Sequence, residues 1–177
     1  MAEPRPDKVY NVLFLCTGNS ARSIIAEALI TKEGHGRFKG YSAGSFPKGQ
    51  VNPHALDLVH ALGFEPSDFR SKSWDEFARP GAPELDFVIT VCDNAAGEVC
   101  PVWPGQPVSA HWGIPDPAEV EGTYVEQAAA FAEAARQLGT RIRLFLALPL
   151  ATIDRMSLQA KMHEIGETLD IPAPAAR

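Results

Sequence analysis

Seven mostly apolar residues, Val9-Tyr10-Asn11-Val12-Leu13-Phe14-Leu15, run directly into Cys16-Thr17-Gly18-Asn19-Ser20-Ala21-Arg22-Ser23. The chain continues as Ser23-Ile24-Ile25-Ala26-Glu27-Ala28-Leu29-Ile30. The periodicity reads as a buried strand, a loop of small residues and an amphipathic helix. Backbone N–H groups of such a loop and the N-terminus of the following helix converge on one spot, and both favour negative charge. Arg22 adds a planar fork of donors suited to a tetrahedral oxyanion. Thr17, Gly18, Asn19, Ser20, Ala21, Arg22 and Ser23 are therefore the expected oxyanion-binding residues. Gly18 supplies backbone freedom, Asn19 is expected to tie down loop carbonyls, and Ser23 to donate to the Cys16 sulfur. The same field predicts a lowered pKa for Cys16, a nucleophile beneath a bound oxyanion. The plain alternative is a buried structural cysteine with an arginine six residues on by chance.

Further along, strands and helices alternate, the mark of a mostly parallel α/β sheet. A second strand is expected at Phe38–Gly44, then a helix opened by Pro53 and ended at Leu62-Gly63. Leu85–Val91 reads as a central strand that stops at Cys92, and Val108–Trp112 as a short one. Gly113-Ile114-Pro115-Asp116-Pro117 is a loop. A long helix is expected from Thr123 to Ala147, with Phe131, Leu138, Ile142 and Phe145 facing the core. One more helix is expected over about 150–169, before a tail that reads as disordered, Pro172–Arg177. Cys16 and Cys92 both end strands, and ligands of open α/β sheets bind outside those ends, so the two thiols can share one mouth. The expectation is a single domain over 1–177, with a core at about 9–147 and a C-terminal helical extension.

Composition removes several function classes. The net charge of −6 and the lack of a basic stripe argue against a nucleic-acid partner. Met1–Lys8 lacks the apolar centre of a signal peptide. The longest apolar stretch, Leu144–Leu150, is far too short to span a bilayer and contains Pro149. Three cysteines in such a chain point to reactive thiols in the cytoplasm.

Cys92 and Cys100 stand eight residues apart, separated mostly by small or polar residues. Along a regular helix they would lie about 12 Å apart, whereas a disulfide needs Cα atoms within about 7 Å. Pairing them requires the segment, a short helix or a mobile loop, to bend or unwind. Two unrelated buried cysteines, or a zinc site completed by His111, are the alternatives.

Cys16–Glu27, Tyr41-Ser42-Ala43-Gly44, Val88–Cys92, Cys100-Pro101, His111-Trp112-Gly113 and Asp116-Pro117 occur in order. Together they resemble the arsenate reductases built on the low-molecular-weight protein tyrosine phosphatase fold, over roughly residues 9–147. The resemblance implies four parallel strands flanked by helices, Cys16 as nucleophile, and Cys92 and Cys100 as the redox pair. It assigns Asp116, held between two prolines, as the general acid; read from composition alone, it is a turn-forming aspartate. Arsenate is the implied substrate, with phosphate or sulfate as competing oxyanions and no organic or metal cofactor. Thioredoxin is favoured as electron donor over glutathione and glutaredoxin, because both Cys92 and Cys100 are present.

The pattern departs from the phosphatases in ways that favour the reductase. Ala21 stands where a second loop cysteine is common, Ile24 where phosphatases carry proline, and Ala118 and Glu119 where they present tyrosines. Some related reductases hold a potassium ion near the cradle with an asparagine, a glutamate, a serine and an aspartate. Asn19, Glu27 and Ser42 match the first three, while Lys72 falls at the fourth. Its ammonium is expected to replace that ion; the alternative is a solvated surface lysine. A tyrosine phosphatase, or a non-catalytic oxyanion sensor, is the rival reading of the whole chain.

Overall fold

A computed structural model describes residues 8–97 and 101–168. Its centre is a sheet of four parallel strands, β1 (Tyr10–Leu15), β2 (Phe38–Ala43), β3 (Phe87–Thr90) and β4 (Val108–His111), in the order β2-β1-β3-β4. Five helices accompany it: α1 (Arg22–Glu33), α2 (Pro53–Ala61), α3 (Asp93–Ala96), α4 (Tyr124–Leu146) and α5 (Arg155–Gly166).

Side chains of β1 alternate between two layers, as the period of a strand demands. Val12 and Phe14 enter the main core with Ile24, Ile25, Leu138, Ile142 and Phe145 of α1 and α4. Leu13 and Leu15 point the other way, to a smaller cluster with Phe77, Leu85 and Val88. That second face is closed by a 3-10 turn, Trp74–Phe77, which the periodicity did not announce. Phe145 stacks edge-on against Phe38, Phe87 and Trp112 at 5.4, 4.8 and 5.9 Å. This aromatic knot fixes α4 across two strands and the turn after β4.

Several element ends differ from expectation for local reasons. β3 is confined to Phe87–Thr90, because the Asp86 carboxylate accepts the Asn11 N–H and the ladder starts only beyond it. α4 lies within its expected span, with Thr123 and Glu126 forming a capping box. α5 begins at Arg155 rather than 150, since Pro149 O takes the N–H groups of Thr152 and Ile153 in a turn. The Asp154 side chain then caps the helix through Ser157 N–H. The end of this extension, from residue 169, and the Pro172–Arg177 tail lie outside the described residues, as does Cys100.

The register aligns the carboxyl ends: Leu15 pairs with Ala43 and Thr90, and Thr90 with His111. From β1 the chain crosses to β2 on one side, and from β3 to β4 on the other. The gap between β1 and β3 is thus a topological switch point, where an open α/β sheet leaves a crevice. Cys16 follows β1 and Cys92 closely follows β3, so the two face that crevice from adjacent strands.

Candidate active site

The loop between β1 and α1 is held open from outside. Thr17 O accepts the Phe46 N–H at 3.0 Å, Gly18 O the Lys48 N–H at 2.9 Å, and Ser20 O the Asn52 N–H at 2.8 Å. Ser71 Oγ adds a second bond to Gly18 O at 3.2 Å. The C=O and following N–H of a planar trans peptide point in opposite directions. Carbonyls turned outward therefore turn the N–H groups of Gly18, Asn19 and Ala21 inward.

Asn19 stands in the left-handed region at φ 45°, a conformation asparagine tolerates better than most residues. Fully buried, it donates from Nδ2 to Ser23 Oγ at 2.8 Å and accepts the Lys72 N–H on Oδ1 at 2.9 Å. Asn19 thus ties the loop to the helix start and to the 70–73 segment, not to loop carbonyls as expected. The Ser23 hydroxyl, expected to serve the Cys16 sulfur, takes the Asn19 bond.

Inside the loop lies a cavity of about 180 Å³ lined by the whole stretch Cys16–Arg22 together with Cys92 and Asp116. Arg22 Nη1 donates to Ile114 O at 3.0 Å, and Nη2 lies 3.4 Å from Asp116 Oδ2. Its buried Nε has no hydrogen-bond partner among the described residues. A buried donor left open at the wall of a cavity is what an oxyanion acceptor would satisfy. Asp116 caps its own turn by accepting the Ala118 N–H at 2.9 Å on Oδ1, leaving Oδ2 toward Arg22. Phe46, Lys48 and Asn94 complete the rim. All three were missed in the sequence: nothing there marks the turn after β2, with Phe46 and Lys48, as folding back over Gly18, or the first turn of α3, with Asn94, as reaching the cavity.

The cysteines behave as a pair. Both are buried and free, and both line the cavity. The Cys92 pKa is lowered to about 5, first by the bond from the Cys16 thiol and further by the N–H groups of Ala95 and Thr17. Thr17 N lies 3.3 Å from Cys92 Sγ. Cys16 is pushed up, by the same shared bond and then by burial, while Arg22 opposes the shift. This corrects the expected lowering at Cys16. The two opposite shifts favour the thiolate on Cys92 over Cys16.

Behind the cradle, Lys72 Nζ lies 3.5 Å from Ser42 Oγ, 3.9 Å from Glu27 Oε1 and 2.9 Å from Arg70 O. Ser42 Oγ donates to Glu27 Oε1 at 2.5 Å. Burial lowers the Lys72 pKa and raises that of Glu27, each partly offset by the other's charge. Asn19, Glu27, Ser42 and Lys72 thus meet in one cluster, with the lysine side chain largely buried rather than solvated. Among the described residues no three His, Cys, Asp or Glu side chains converge on a metal-sized site. His111 is engaged by Thr90 and Asp93 instead.

The chain is similar to known proteins over most of its length. Residues 11–158 match the family described as low molecular weight phosphotyrosine protein phosphatase. An arsenate reductase of Halalkalibacterium halodurans is 39% identical over 134 residues, which is 76% of this chain and 93% of its own. The thioredoxin-dependent arsenate reductase of Corynebacterium glutamicum superposes with a TM-score of 0.51 at 28% identity, covering 79% of this chain and 65% of its own. An arsenate reductase in a phosphate-binding state has the same fold, with a TM-score of 0.60 at 24% identity over 78% of this chain and 98% of its own. The chain belongs to the low molecular weight phosphotyrosine protein phosphatase family, among the arsenate reductases of that family.

Proposed function

We propose that this chain reduces arsenate to arsenite in the cytoplasm through a relay of three thiols, as one catalytic domain. The observation that carries the reading is the second sulfur, Cys92, which lines the same oxyanion cradle as Cys16. A phosphatase needs the nucleophile, the arginine and the acid, but has no use for a thiolate aimed at its own nucleophile. The relatives named arsenate reductase support the same reading.

Arsenate enters the cradle and takes up Arg22 Nε and the inward N–H groups. The Cys16 proton passes to an arsenate oxygen, and the thiolate sulfur attacks arsenic. One As–O bond breaks, and Asp116 protonates the departing oxygen, which leaves as water. Cys92 then attacks Cys16 Sγ. The S–As bonding pair stays on arsenic, which passes from the +5 to the +3 state and leaves as arsenite. Two thiols have become one Cys16–Cys92 disulfide, the two electrons that the change requires. Cys100 attacks Cys92, frees the Cys16 thiolate and moves the bridge to Cys92–Cys100. An external dithiol reduces it by exchange.

Thioredoxin suits an internal two-cysteine bridge, and one structural neighbour is named thioredoxin-dependent. Phosphate and sulfate compete for the cradle but offer no exit by reduction, so any phosphoenzyme must hydrolyse and phosphatase activity is residual. The Lys72 ammonium stands in for a bound cation, beside Glu27 and Ser42. Steady-state arsenate reduction with thioredoxin, thioredoxin reductase and NADPH should exceed that with glutathione and glutaredoxin at equal enzyme. The Cys100→Ser variant should lose the thioredoxin-supported rate. Turnover by glutaredoxin alone that survives Cys100→Ser would move the donor. Aryl phosphate hydrolysis by Cys92→Ser, Cys100→Ser protein with no arsenate reduction by the parent would favour a phosphatase.

A further inference from the structure

Thr90, Asp93 and His111 carry no role in the relay above, yet they are joined across Cys92. The His111 ring bonds Thr90 Oγ1 through Nδ1 at 2.7 Å and Asp93 Oδ1 through Nε2 at 2.8 Å. Thr90 is two residues before Cys92 and Asp93 one after, so a single imidazole from β4 staples the two sides of the turn that carries this sulfur. From the structure we infer that His111 is a positioning residue: it holds Cys92 within attacking range of Cys16. The inference rests on the reading of Cys92 as the second thiol of the relay.

The rest of the His111-Trp112-Gly113 motif serves the same staple. Trp112 is fully buried, packs on Phe145, and donates from Nε1 to Met162 O of α5 at 3.0 Å. α5 presses on the strand end closely enough that a Cβ at Gly166 would sit 2.2 Å from His111 O. Gln159 of the same helix donates to Ser109 O at 2.7 Å. The backbone of His111 is therefore braced from behind by a helix that the family match, ending at residue 158, reaches only in part. A Cβ on Gly113 would lie 2.7 Å from Asp93 Oδ1 and 2.8 Å from His111 Nε2, in the path of the bond itself. Only glycine leaves that path clear.

The test uses the full chain with Cys100→Ser, so that the Cys16–Cys92 disulfide is the last product. Its closure is timed by quenching and mass spectrometry after arsenate, and separately after diamide, a diazene that takes up two hydrogens as two thiols join. Inorganic phosphate affinity, measured by calorimetry, reports the cradle. His111→Ala should slow closure about tenfold with either reagent, the factor that goes with losing a hydrogen bond to a charged group. Phosphate affinity should be unchanged. His111→Gln, which can still donate to Asp93, should recover closure to within about threefold of the parent. Gly113→Ala should slow closure while keeping His111.

Closure unchanged in His111→Ala and Gly113→Ala, or reduced only in step with phosphate affinity, would overturn the inference. A parent that closes rapidly with diamide but releases no arsenite would sink the arsenate reading. The diamide series would still decide the role of His111.

Discussion

Two sulfurs and one proton set the resting state of the cradle. With Cys92 lowered to about 5, the pair carries a thiolate at every pH above that value and loses it only as pH falls through it. Thiolate absorbance or iodoacetamide alkylation should therefore titrate near pH 5, well below the ordinary cysteine value of about 8.5. Cys16→Ala removes the largest cause of the shift and should move the midpoint up. A parent midpoint near the ordinary value would contradict the shared-proton state. The sequence marked both thiols as reactive but assigned the charge to Cys16, because their coupling joins residues 76 apart in the chain, through Thr17 N–H as well as through each other. A loop read alone shows only the field of its own arginine and N–H groups.

Lys72 and Glu27 make a second residue-scale case. Burial disfavours both charges, and each supports the other. Lys72→Ala leaves the Glu27 carboxyl in a low-dielectric site without its partner, a loss of about 3 kcal/mol. A carboxyl pKa raised in the folded state costs stability as pH rises above the unfolded value. Melting curves of the variant should therefore fall further behind the parent from about pH 4.3 upward. Potassium should restore part of the loss in Lys72→Ala and do little to the parent. Equal melting temperatures, or strong activation of the parent by potassium, would remove the cation role from Lys72.

At the scale of elements, the cradle is shaped as much by the turn after β2 as by its own residues. Gly44 packs so tightly that an added Cβ would lie 2.4 Å from Thr17 O and 2.7 Å from Cys16 O. Gly44 O also accepts the Trp74 N–H. Gly44→Ala should push the loop inward and weaken phosphate binding by about tenfold or more, with the far-ultraviolet spectrum retained. Phosphate affinity within twofold of the parent would show that the turn does not shape the loop. The sequence showed Tyr41-Ser42-Ala43-Gly44 as a motif without its reason, which is this close approach. Phe46 and Lys48 went unseen for the same cause, since only the folded turn brings them over Gly18. α2 and α4 were easier to place, because capping is local: Asn52-Pro53 and Thr123 each start one through bonds to residues two or three away.

For the whole molecule, strand order decides where chemistry can happen. Short apolar and β-branched runs marked the strands, and the helices between them implied their parallel sense. Nothing in those runs stated that β1 would lie between β2 and β3, the order that puts the ends bearing Cys16 and Cys92 side by side. The resemblance implied four parallel strands but not their order, which the structure supplies and whose consequence the register shows. No described helix is long and apolar enough to cross a membrane. α5 adds a brace against the β4 edge, with Met162 and Ile165 turned into the core.

The most direct test of the account is one turnover without any external reductant. Fully reduced protein is mixed with excess arsenate, arsenite is counted per chain, and the disulfides are mapped by mass spectrometry. The relay predicts one arsenite per chain and a bridge between Cys92 and Cys100, with Cys16 returned to the free thiol. Arsenite withheld until glutathione is added, or a chain left with all three thiols reduced, would contradict it.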